Sequence, residues 1–145
     1  MKQRSRPNRM GNYIAAVILN IILLVVLNRL PDWNVRVLAP SYQDVLRVIN
    51  LSLGVQVAGN FILIFFHPLY LHHLGQAVFS AFSAFAVWRV YRVFPFDLTG
   101  VIDAIGWFDT FLKIFIMVVF IATVIGGSIS FYRFLRSVFF PPEEV

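Results

Sequence analysis

A chain of 145 residues that is 59% apolar and 13% charged carries more apolar side chain than a soluble domain of its size can hide, where roughly 45–50% and about 25% are usual. Its formal charge of +5 would suggest nucleic acid in a soluble protein, but here the basic residues flank hydrophobic runs, where lipid headgroups and topology account for them, so no nucleic-acid partner is expected. The absence of cysteine excludes disulfides, thiolate metal sites and cysteine nucleophiles.

The first apolar run, Gly11 to Asn28, follows the basic segment Lys2-Gln3-Arg4-Ser5-Arg6. It is longer than the apolar region of a signal peptide and no small-x-small cleavage site follows, so it is read as a retained span over 11–30. A polar and aromatic connector over 31–46 contains Trp33, Pro40 and Tyr42. Then comes the most informative stretch: 41 residues from Val48 to Trp88 without an Asp, Glu, Lys or Arg, broken at its middle by His67-Pro68. One bilayer crossing takes about 20 apolar residues, so this run reads as two crossings, 47–67 and 69–92, folded as a tight hairpin. In the connector over 93–110, Asp97, Asp103 and Asp109 forbid a further span, while Val101, Ile102, Ile105, Trp107 and Phe108 predict a segment lying in the interface. The last charge-free run, Ile114 to Tyr132, predicts a span over 111–137. The expected fold is an all-α integral membrane protein, a single transmembrane domain of four helices over 1–145.

An even number of spans puts both termini and the His67-Pro68 turn on one side and the long connectors on the other. Lys2, Arg4, Arg6, Arg9, Arg133 and Arg136 lie on the terminal side, and Arg29, Arg36, Arg47, Arg89, Arg92 and Lys113 on the connector side, a tie. Four of the former directly precede the first helix, which usually dominates, so the termini are expected in the cytoplasm, at the plasma membrane of a prokaryote. Trp33, Tyr42, Trp88, Tyr91 and Trp107 fall on the connector side as interfacial aromatics.

The polar residues inside the spans are patterned. At about 100° per residue, Ser52, Gln56, Asn60 and His67 share one face of the second helix, and His72, Gln76, Ser80 and Ser83 form a stripe on the third. With the turn near Leu69-Tyr70, antiparallel neighbours have numbers summing to about 139, which sets Asn60 opposite Ser80 and Gln56 opposite Ser83. Asn12, Ala16, Asn20 and Asn28 in the first helix, and Thr123, Gly127 and Ser130 in the last, repeat the pattern more weakly. Such residues serve as packing contacts, with interhelical hydrogen bonds of roughly 0.6–2 kcal/mol, or line a polar path or pore. The expectation is the former: a seam of Ser52, Gln56, Asn60, Gln76, Ser80 and Ser83 whose groups bond one another and leave no continuous wet path.

All seven acids lie in the connectors or the tail and the charge-free runs hold no titratable carboxylate, which argues against proton-coupled transport. His67 and His72 are weak metal candidates: without a nearby carboxylate the set is incomplete, and a haem site would need its histidines deeper and on facing helices, so no cofactor is expected. Ser128 and Ser130 lie toward the histidine turn but lack an orienting acid, so no catalytic residue is assigned. Arg89 and Arg92 are placed to grip lipid headgroups, and Asp109 with Lys113 to pair across one helical turn. The function expected is that of a small non-enzymatic membrane protein acting by helix association, as a homo-oligomer or a subunit of a larger membrane complex. The alternatives are a passive channel or facilitator for a small solute through the seam, and a haem- or metal-binding subunit using the hairpin histidines.

Overall fold

The computed structural model describes residues 6–33, 38–66, 68–97 and 107–140. Four long helices account for almost all of them: α1 (Arg6–Arg29), α2 (Tyr42–Phe65), α3 (Leu69–Val93) and α4 (Phe108–Phe139). Among the described residues the only strand-like pairing is an isolated bridge between Leu38 and Phe96. With Ala39 N–H donating to Pro95 O at 3.0 Å, it ties the two connectors together at one end of the helices.

Proline sets the breaks. Pro7 sits in the first turn of α1, where its missing N–H costs nothing, and Pro31 follows the last turn and opens a single 3₁₀ turn, Pro31–Trp33. Phe66 is extended (φ −114°, ψ 113°) and its N–H still bonds Ile62 O, so α2 ends two residues before Pro68, which a helix could not continue through without losing a hydrogen bond. The carbonyl of Pro68 then accepts from the N–H groups of Leu71 and His72 and starts α3. At the far end of α3, Phe94 is left-handed (φ 43°), a conformation that costs a side-chain-bearing residue about 1–2 kcal/mol. Its N–H bonds Val90 O at 2.8 Å and its ring lies under the Lys113 ammonium at 4.6 Å, contacts that offset the strain.

Among the described residues three helices are long and apolar enough to cross a membrane: Met10–Arg29, Tyr42–Phe65 and Phe108–Phe139. α3 has the length, 25 residues, but not the hydropathy, because His72, His73, Gln76, Ser80, Ser83, Arg89 and Arg92 dilute its apolar residues. Large apolar side chains such as Leu19, Phe65 and Ile125 are more than half exposed, a surface that suits lipid and would aggregate in water. The helices begin and end beyond the charge-free runs. α2 starts at Tyr42 rather than 47, since Asp44 in its first turn favours the helix dipole and the Tyr42 hydroxyl donates to Leu27 O at 2.9 Å. α4 runs over 32 residues, about 48 Å, long enough to cross a hydrocarbon core of about 30 Å with length to spare. The interfacial segment expected before α4 lies mostly outside the described residues.

Neighbours in sequence are neighbours in space and antiparallel: α1 packs on α2, α2 on α3 and α3 on α4. Among the described residues α1 and α4 make no close backbone approach, so the row of helices curls round without closing. Glycines set the spacing at two crossings. A Cβ on Gly59 would collide with the Phe79 ring, and one on Gly127 would lie 2.8 Å from Ser80 Cβ, so α2–α3 and α3–α4 approach where only hydrogen fits.

Candidate functional site: a polar cavity between the helices

The fourfold spacing of Ser52, Gln56 and Asn60 puts all three on the face of α2 that meets α3. Gln56 Nε2 donates to Ser83 Oγ at 3.1 Å and lies 3.4 Å from Ser52 Oγ, so the two stripes meet in antiparallel register. Asn60 does not bond Ser80 across the hairpin. Its Nδ2 donates to Gln56 O, one turn back on its own helix, at 2.8 Å, a bond available inside a helix without moving the backbone.

These side chains line a cavity of about 360 Å³ to which all four helices contribute: Ala16, Leu19 and Asn20 from α1, Gln56 and Asn60 from α2, Gln76, Phe79, Ser80 and Ser83 from α3, and Thr123 from α4. Asn20 and Asn60 are only 8% and 5% exposed. The Thr123 hydroxyl is spent on Val119 O at 2.7 Å. Among the described residues, Asn20, Gln76 and Ser80 make no side-chain hydrogen bond, although each lines the cavity. The seam is therefore only partly self-satisfied, against the expectation of a closed network. Asn20 and Thr123 belong to it as fully as the seam residues, and their only advance signal was the spacing of Ala16-Asn20 and Thr123-Gly127.

Comparison of the chain with protein-family models, curated proteins and solved structures gives no match.

Among the described residues no Asp, Glu, Lys, Arg or His lines the cavity. An ion entering it would lose hydration with no countercharge to replace it, whereas the carboxamides and hydroxyls both donate and accept to an uncharged group. Toward the hairpin end Tyr13, Leu63 and Phe79 pack into a buried cluster, and Phe79 also lines the cavity. The Tyr13 hydroxyl and His72 Nδ1, 2.8 Å apart, share a hydrogen bond that links α1 to α3 just beyond this cluster. No pattern along α1 announced that link, because the sequence does not fix which face α1 turns to α3. His67, the other weak metal candidate, lies outside the described residues. Among those that are described, no three His, Asp or Glu side chains gather to hold a metal.

At the connector end, Asn28 and Asn50 exchange reciprocal amide hydrogen bonds of 2.7 and 2.9 Å between α1 and α2. The Arg92 guanidinium lies 5.8 Å from the centre of the Trp88 ring, which also stacks on Tyr91, and Arg89 is half-buried nearby. Lys113 pairs with Asp109 at 2.9 Å across one turn of α4.

Proposed function

We propose that this chain is a small non-enzymatic membrane protein that crosses the bilayer four times and holds an uncharged polar group in the cavity between its helices. The observation that carries the reading is the convergence of Asn20, Gln76 and Ser80 on one cavity without partners among the described residues. No fully buried side-chain nitrogen or oxygen among the described residues lacks a partner, so these groups open onto the cavity, whereas polar groups kept there for packing alone would be expected to bond one another. The position of α3 supports a fourth crossing: it lies between α2 and α4, both apolar enough to span, and matches α2 in length. Lys2, Arg4, Arg6 and Arg9, ahead of the first apolar run, support cytoplasmic termini, and Arg89 and Arg92 beside Trp88 support headgroup contact at the opposite face.

Helix association alone accounts for Gln56 with Ser83 and for Asn28 with Asn50, but not for the unbonded groups. Passive conduction needs a continuous polar path, and the buried Tyr13, Leu63 and Phe79 weigh against one. The chain has no native cysteine, so single cysteines at Asn20, Gln76 and Leu63 test the reading in liposomes. Reaction with N-ethylmaleimide requires thiolate and hence water, so cysteines at positions 20 and 76 should react and one at 63 should not. Inertness at all three would remove the cavity.

A further inference from the structure

We infer that the group bound in the cavity is the uncharged, hydroxyl- or amide-bearing head of a lipid, which enters sideways from the bilayer between α1 and α4. The inference rests on the cavity reading above and adds the ligand's class and route.

The route follows from which walls are closed. At the hairpin end stand Tyr13, Leu63 and Phe79; at the connector end the Asn28–Asn50 amide pair and the Tyr42 hydroxyl on Leu27 O fasten α1 to α2 above buried Val45 and Leu46. The remaining side is the gap between α1 and α4, which do not approach one another. Leu19 stands at that rim: it lines the cavity and is 58% exposed, among the side chains that face lipid. A molecule already in the membrane therefore reaches Asn20 sideways, past the exposed Leu19.

The class follows from the lining. Asn20 is more than nine-tenths buried, unbonded among the described residues and open to the cavity, and Gln76 and Ser80 offer further unbonded donors and acceptors. With no charged side chain at the wall, a phosphate-bearing head would enter unpaired, whereas a lone hydroxyl or amide finds both kinds of partner. The volume, about 360 Å³, suits such a head. A partner helix, about 10 Å across, would fill it in less than one turn.

The test uses the full chain in phosphatidylcholine nanodiscs, with diacylglycerol, ceramide or a polyisoprenol added, read by thermal unfolding and by photolabelling with a diazirine diacylglycerol. At least one of these lipids should raise Tm by about 5 °C. The label should fall on peptides containing Leu19 and Thr123. Both effects should be lost in Asn20→Leu and in Ala16→Phe, which fills the cavity without removing a polar group, while each variant without added lipid unfolds no lower than the parent. A rise in Tm with glycerol or urea but with none of the lipids would overturn the lipid proposal and leave the cavity reading standing. Disulfide cross-linking of Leu19→Cys between two copies, without lipid labelling, would overturn it in favour of a partner helix. No response to any probe, together with inert cysteines at positions 20 and 76, would overturn both.

Discussion

Gln56 Nε2 donates to Ser83 Oγ at 3.1 Å, joining α2 to α3 midway along the hairpin. Because Gln56 also approaches Ser52, its loss strands two hydroxyls, whereas Phe61, 55% exposed, packs against little. Gln56→Leu should therefore lower stability by about 1–2 kcal/mol and Phe61→Leu by less than about 0.5. Thermal unfolding in detergent decides this, and equal, negligible shifts would mean that the seam does not hold the hairpin.

Asn20 behaves in the opposite sense. Its carboxamide opens onto the cavity and bonds no described residue, so Asn20→Leu breaks no hydrogen bond within the described protein and adds apolar volume. We expect stability in detergent unchanged or raised by up to about 1 kcal/mol. A loss of more than about 1 kcal/mol would show that the amide is bonded after all.

The paired glycines of α4 differ sharply. A Cβ on Gly126 meets open space, but one on Gly127 would sit 2.8 Å from Ser80 Cβ. Gly126→Ala should be neutral or slightly stabilising through helix propensity, while Gly127→Ala should cost about 1–3 kcal/mol by forcing α3 from α4. Adding Ser80→Gly to the second variant should recover part of the loss, and a double-mutant cycle in detergent measures how much.

Membrane crossing by α3 places Leu69 and Asp97 on opposite faces and Ser41 with Asp97, whose connectors are joined through Ala39 and Pro95. Single cysteines at Leu69 should label with an impermeant maleimide from one side of sealed vesicles, and those at Ser41 and Asp97 from the other. Leu69 and Asp97 labelling from the same side would leave α3 out of the membrane.

The helices were legible in the sequence because lipid demands long charge-free runs, and Pro68 and Pro31 mark breaks that no side-chain contact can undo. Their ends were less so: Tyr42 to Arg47 carries charge and reads as connector, yet a helix continues past the lipid boundary wherever its capping and first-turn chemistry allow. The hairpin register was also legible, since a three-residue break between Phe65 and Leu69 leaves few ways to pair Gln56. What α1 and α4 bring was not. The rotation of a helix with apolar residues all round is set by partners far away in sequence, so Asn20 and Thr123 looked like packing residues, and Tyr13 gave no sign of reaching His72.

The most direct test of the central claim is a structure of the protein in lipid nanodiscs at a resolution that places bound molecules. The account predicts non-protein density within hydrogen-bonding reach of Asn20, Gln76 and Ser80, with α1 and α4 apart. Direct contact between α1 and α4, with Asn20 bonded to a protein group and no density between the helices, would contradict it.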